Sequence, residues 1–202
     1  MKKGNKLKAS FYLSDDVVRV AQDLLGKKLC SHIDGVYTSG IIVETEAYSG
    51  RNDKACHAHL GRFTKRTSTM YQKGGTAYIY LCYGIHHLFN VVTNVEGIAD
   101  AVLVRALMPT EGLDEMHSRV KTKQADYKLC AGPGKLTKAL GINKVRNGIY
   151  LASSSDTWIE NDLDVHASEI VATTRIGIDY AEEDALLPWR FYLKGNKSVS
   201  KY

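Results

Sequence analysis

Two carboxylates stand two residues apart in the run GIIVETEAY, residues 40–48. Alternate residues share one face of a strand, so Ile42, Glu44, Glu46 and Tyr48 are expected to project together. A carboxylate in a β-branched strand beside an aromatic is costly to bury unless it is paired or used. If used, one of the two is a general base whose basicity is set by its surroundings. A solvated outer strand face gives the same pattern and is its commoner origin.

Aromatic side chains supply a second chemistry. Tyr71, Tyr78, Tyr80 and Tyr83 crowd into one short stretch. Tyr78 and Tyr80 share a face, while Tyr83 has the other parity and abuts Gly84, a turn residue. A tyrosine at a hairpin tip beside basic loops is a wedge for a base stack. Tyrosines facing a pocket are platforms on which a base can stack. Ordinary core packing of strand tyrosines is the plainer explanation.

Other patterns are excluded or weak. Cys56-His57-Ala58-His59 and His86-His87 lack an HExxH or CxxC partner, so no metal or other cofactor is expected. The paired-cysteine signature of a zinc deaminase is missing. Gly132-Pro133-Gly134-Lys135 resembles a phosphate loop only superficially, because Leu136 and Leu129 stand where Ser or Thr and Gly are required. A helix beginning near Lys135 still offers free N–H groups to a phosphate. No GxSxG elbow is present. Four well-separated cysteines fit a reducing compartment better than a disulfide framework.

These residues need a scaffold. The chain of 202 residues fits one domain with a full core. With 44% apolar and 24% charged residues, disorder as the main state is excluded. No apolar run reaches the ~20 residues of a membrane helix. The basic start MKKGNKLKAS is followed by no apolar h-region, so no secretory signal is read there and a cytoplasmic protein is expected. Ser14 and the following DDVVRVAQDLLG predict a capped helix stopped by Gly26, its stripe formed by Val17, Val18, Ala21, Leu24 and Leu25. Residues 40–48, 76–83, 87–94 and 101–107 read as strands joined by tight turns at Gly84 and at Val95-Glu96-Gly97, with a second helix near 134–140. The expected fold is mixed α/β (α+β): one compact domain around a curved antiparallel sheet, with a protruding β-hairpin and flanking helices. Its expected boundaries are a flexible basic N-terminus at 1–9, the domain at 10–195 and a tail at 196–202.

The net charge of +5 is mild, but its distribution is uneven. Residues 51–75 carry Arg51, Lys54, Arg62, Lys65, Arg66 and Lys73 against Asp53 alone. Residues 119–146 carry eight basic residues against Asp126, and residues 156–184 hold nine acids and one base, Arg175. A molecule with a positive face attracts polyanions by neutralising phosphates and releasing counterions.

The blocks ETEAYSGRNDKACHAH (44–59), KGGTAYIYLCYGIHHLFNVVT (73–93), VLVRALMPTEG (102–112), LCAGPGKLTKALGINK (129–144) and RIGIDYAEEDALLPWRFYLKG (175–195) resemble the alkyladenine (3-methyladenine) DNA glycosylase family. The likeness runs in family order over nearly the whole chain and fades after Gly195. It implies a monofunctional enzyme of base-excision repair, acting as a monomer on damaged purines in double-stranded DNA without a cofactor. The target bond is hidden in a stacked duplex, so the nucleotide must be rotated into a pocket. By resemblance, Glu46 is the general base that drives water onto C1′, and Arg105 holds that water and pairs with the carboxylate. Tyr48, His57 and Tyr80 clamp the extruded base, and Asn90 crowds the exocyclic amino group of normal guanine. Tyr83 fills the gap left in the duplex. Arg66, Met70, Lys135 and Lys144 contact the DNA backbone. The implied substrates are 3-methyladenine and 7-methylguanine, with hypoxanthine and ethenoadenine left open. Glu44 shares the expected strand face, so the choice of Glu46 over Glu44 rests on the motif match alone. A non-catalytic duplex-binding module, or a lyase working through a lysine imine, would use many of the same residues.

Overall fold

The computed structural model describes residues 5–201. Eight strands form one antiparallel sheet: β1 (Lys28–Ile33), β2 (Val36–Tyr48), β3 (Ala77–Cys82), β4 (His86–Thr93), β5 (Asp100–Glu111), β6 (Thr157–Glu160), β7 (Ile170–Thr173) and β8 (Arg190–Leu193). Their main order is β3-β4-β5-β2-β1-β6. The sheet forks at β2: residues 36–41 pair with β1, and Glu44, Thr45 and Glu46 pair with β8. Strand β2 keeps β5 along its other edge, so the carboxylate stretch is flanked by strands on both sides.

Among the described residues three α-helices accompany the sheet: α1 (Val17–Asp23), α2 (Leu113–Val120) and α3 (Pro133–Leu140). Helix α1 starts later than expected. Its N-cap is Asp16, whose carboxylate accepts from the Arg19 N–H at 2.9 Å, while Ser14 Oγ accepts from the Asp16 N–H. Asp at this position also meets the positive end of the helix dipole. The Thr45 hydroxyl donates to the Ala21 carbonyl at 2.8 Å and pins α1 to β2. Helix α3 has Pro133 at its start and left-handed Gly141 at its end, and it packs mainly on β4 and α2.

The main core gathers Val17 and Val20 of α1, Leu24 and Leu25 just after it, Leu136 and Leu140 of α3, and strand residues such as Phe89, Val104 and Phe191. Burying each leucine there contributes about 1.5–3 kcal/mol relative to leaving it exposed. A smaller cluster of Cys56, Met70, Tyr78, Val92 and Ala101 lies beneath Tyr48 and Tyr80.

Two expectations change. The run Ile42, Glu44, Glu46, Tyr48 does not keep one face. Pairing with β5 slips between Ile42 and Glu44 and again before Thr45, so Ile42 joins the main core together with Ala47. A bulge inserts a residue and reverses parity. The chain ends also differ from loose tails. Leu7 is buried, with its N–H on the Ile159 carbonyl. Ser198 and Val199 are buried as well. The first part of the expected flexible N-terminus, residues 1–4, and the last residue, 202, lie outside the described residues. Among the described residues no helix is long and apolar enough to cross a membrane.

Candidate active site

Glu44 and Glu46 are both fully buried and flank one guanidinium. Arg105 Nε donates to Glu44 Oε1 at 3.0 Å, and its Nη1 lies 3.1 Å from Glu46 Oε2. The solvated strand face suggested by composition is therefore not what forms. Beyond Arg105 the two acids have different neighbours. Glu46 Oε2 also accepts the Tyr48 hydroxyl at 2.8 Å, and its Oε1 accepts the Ile176 N–H at 2.8 Å. Glu44 instead meets Arg190 Nε at 2.9 Å and both the N–H and the hydroxyl of Ser200. Burial opposes the charge on Arg105, but Glu46 and Glu44 outweigh it and hold the guanidinium ionised above its ordinary range. Burial first, and the Glu46 carboxylate second, raise the Tyr48 phenol well above its usual value. Tyr48 is thus a donor to Glu46 at every working pH.

A cavity of about 710 Å³ opens over this pair. Tyr48, Arg105 and Ile176, all partners of Glu46, line it. Glu46 itself lies just behind them, with no exposed surface. His57, Tyr78, Tyr80, Met70 and Asn90 also face the cavity. The His57 ring stands edge-on to Tyr80, with centroids 4.7 Å apart. His57 Nδ1 lies 3.0 Å from the Tyr78 hydroxyl, and Nε2 lies 3.1 Å from Arg66 Nη2. A guanidinium only donates, so Nε2 is the acceptor and the proton of the neutral ring sits on Nδ1. Burial, then Arg66 and Arg62, lower the imidazole pKa to about 4. Asn90 Nδ2 donates to the Tyr78 carbonyl at 3.0 Å, which fixes the amide against β3.

The rim is built from two further pieces. The β3–β4 turn carries Tyr83 with φ 49° and Gly84 with φ 74°, and the Ile85 N–H bonds the Cys82 carbonyl at 3.1 Å. Glycine adopts that backbone freely, whereas a tyrosine there is strained. Tyr83 is 91% exposed. Lys135, in the first turn of α3, and Arg66 also line the cavity, and both are exposed. A Cβ on Gly134 would lie 2.8 Å from the His86 ring, so the helix start fits against the hairpin only with glycine there.

The expected site residues fall into two groups. Arg105, Tyr48, His57, Tyr80, Asn90, Tyr83, Arg66, Met70 and Lys135 share the one cavity, with Glu46 bonded to its wall. Lys144 is exposed at the start of a short 3-10 turn, Lys144–Arg146, and does not line it. Met70 differs from a residue offered to a DNA backbone: its side chain is 2% exposed and its N–H is bonded to the Thr67 carbonyl. It instead packs beneath the tyrosines. The Arg66 guanidinium lies 4.8 Å from the Tyr80 ring centre.

Arg175 and Ile176 are site residues that sequence reasoning left unassigned. Arg175 lies 4.9 Å from the Tyr48 ring, donates to the Ala47 carbonyl at 2.9 Å and is paired with buried Asp53. Its one legible signal was a lone base among nine acids. The Ile176 main-chain contact to Glu46 left no trace in residue type. Among the described residues no three His, Cys, Asp or Glu side chains gather as metal ligands.

Comparison with known proteins agrees with the geometry. The family model for methylpurine-DNA glycosylase matches residues 10–197. A Chlamydia pneumoniae protein named "Putative 3-methyladenine DNA glycosylase" is 47% identical over 193 residues, covering 95% of this chain and 97% of its own. Proteins of the same name from Clostridium perfringens (strain 13 / Type A) and Bacillus cereus (strain G9842) are 45% and 46% identical. They cover 97% and 95% of this chain, and 99% and 97% of their own. The tyrosine-lined cavity, the buried carboxylate behind it and this match along almost all of the sequence lead to one conclusion: the chain belongs to the methylpurine-DNA glycosylase family.

Proposed function

We propose that this DNA glycosylase extrudes 3-methyladenine and 7-methylguanine from duplex DNA and hydrolyses the bond between base and deoxyribose, with Glu46 as general base. The observation that carries the reading is the placement of Glu46: a buried carboxylate, held by Arg105, directly behind an aromatic cavity. An anion there stabilises positive charge developing on the sugar and accepts a proton from the attacking water. Water reaches Oε2 only when the Tyr48 hydroxyl yields its place, so binding of the extruded nucleotide is coupled to freeing the base.

The pocket suits a cationic purine. Alkylation at N3 or N7 leaves a positive charge on the ring and weakens the glycosidic bond. Aromatic faces attract such a ring by about 0.5–2 kcal/mol each. The Tyr80 face already holds a cation in Arg66, whose exposed side chain can swing aside. His57 remains neutral to about pH 4 and so adds no repelling charge to the pocket. Asn90, its amide fixed on the Tyr78 carbonyl, is the residue that by resemblance crowds the exocyclic amino group of normal guanine and so selects by a clash. Tyr83, exposed on its strained turn, fills the vacated stack. Arg66, Lys135 and Lys144 hold the phosphates and set register without reading sequence.

The test is single-turnover release of free 7-methylguanine from a methylated duplex. The Glu46→Gln variant is expected to lose at least about 100-fold in rate, the usual scale of general-base catalysis, while still binding the duplex. Release at the parent rate would show that another group activates the water.

A further inference from the structure

We infer that the C-terminal segment Ser198–Lys201 is a positioning strap for the catalytic pair, acting through Glu44. The inference rests on the reading of Glu46 and Arg105 given above. Four donors converge on the Glu44 carboxylate. Oε1 accepts from Arg105 Nε at 3.0 Å, Arg190 Nε at 2.9 Å and the Ser200 hydroxyl at 2.9 Å. Oε2 accepts the Ser200 N–H at 2.7 Å. The Arg190 guanidinium also donates through Nη2 to the Lys201 carbonyl. Two successive tail residues thus grip both an acid and a base of one buried cluster.

The tail is seated as well as bonded. The Ser198 N–H bonds the Asn196 side-chain oxygen at 2.9 Å, and the Val199 N–H bonds the Asn196 carbonyl at 3.2 Å. This turn returns the chain to the sheet. Val199 then packs with Ile41 and Val43 of β2 and Ala106 of β5; Val43 precedes Glu44 and Ala106 follows Arg105.

The consequence is geometric. A guanidinium is planar and rigid, so the edge offered to Glu44 fixes the direction of the edge offered to Glu46. Arg105 spends Nε on Glu44 and Nη1 on Glu46. If Glu44 tilts, Nη1 swings with it, and the carboxylate behind the cavity loses its alignment. Ser200 touches neither the cavity nor Glu46. It is a positioning residue that acts through two others.

The experiment compares single-turnover release of 7-methylguanine with duplex affinity. The variants are a chain ending at Lys197, Ser200→Ala, Ser200→Thr and a chain ending at Lys197 that also carries Glu46→Gln. Truncation is expected to slow release at saturating enzyme by about tenfold, with duplex affinity within about twofold of the parent. Ser200→Ala slows release by about threefold, and Ser200→Thr, which keeps the hydroxyl, restores the parent rate. Groups acting as a unit are non-additive. Truncation is therefore expected to add nothing in the Glu46→Gln background. Parent-rate release by both the truncated and the Ser200→Ala proteins overturns the strap. So does an equal fall in rate and affinity, or a truncation effect that multiplies with Glu46→Gln. A normal rate for Glu46→Gln alone sinks the assignment of the base instead, so the two failures are distinguishable.

Discussion

Glu44 and Glu46 lie on one strand, are both buried, and share Arg105. Around Glu44 the remaining donors are Arg190 and Ser200, and the tail closes over it. Around Glu46 they are the Tyr48 hydroxyl and the Ile176 N–H, both from cavity-lining residues. One carboxylate ends in a sealed ionic cluster, and the other ends one side chain away from an open pocket. Residue type and burial therefore do not assign a role. The neighbours beyond the shared arginine differ, and they support the proposed choice of Glu46, which strand parity alone leaves open.

The comparison breaks most visibly in stability. Glu44→Ala leaves Arg105 and Arg190 buried without their shared anion, and losing one partner of a buried pair costs about 3–5 kcal/mol. Urea unfolding should register that loss, and an unchanged midpoint would show that the cluster is not held by Glu44. The next effect belongs to the open side. Tyr83→Gly removes the exposed ring proposed as the wedge and relieves a left-handed tyrosine. Excision from duplex DNA should fall by about tenfold while thermal stability rises by about 1 kcal/mol. A drop in both would mean that the tyrosine packs on the protein. Tyr48→Phe keeps the ring and removes the hydroxyl that covers Glu46 Oε2. Release should stay within about threefold of the parent, and a loss near that of Glu46→Gln would make the phenol itself part of the chemistry.

A separate effect appears only as pH falls. His57 stays neutral to about pH 4 in the folded chain, whereas an unfolded histidine binds a proton near pH 6.5. Between these values the unfolded state holds more protons, so stability falls as pH drops through that window and is fully present above it. His57→Gln should flatten this component of the urea-midpoint profile from pH 7 to pH 4. An identical slope in both proteins would place the imidazole in free solvent.

Much of the open side was legible because its signals are local. Strand β3 is a run of aromatic and aliphatic residues, and the following turn is marked by Gly84. The face shared by Tyr78 and Tyr80 follows from strand parity, and both line the cavity. The closed side was not legible. Ile42 was placed with the glutamates because a bulge leaves no mark in residue type. Strands β6, β7 and β8 have four residues each, too few to show a period. Helix α2 is largely polar, and it ends at a left-handed Lys121, where glycine is the usual residue. The tail was not legible because NKSVSKY is mostly polar, and what holds it is long-range: bonds to Glu44 and Arg190 and the packing of Val199 on β2 and β5. Arg175 was visible as an oddity of charge, and its partner Asp53 lies 122 positions away.

The most direct measurement sets the two acids side by side. Glu44→Gln and Glu46→Gln, each saturating on the same methylated duplex, are followed for release of free 7-methylguanine in a single turnover. Loss of at least about 100-fold for Glu46→Gln, with a clearly smaller loss for Glu44→Gln, is the result predicted here. Equal losses, or the larger loss at Glu44, would contradict it.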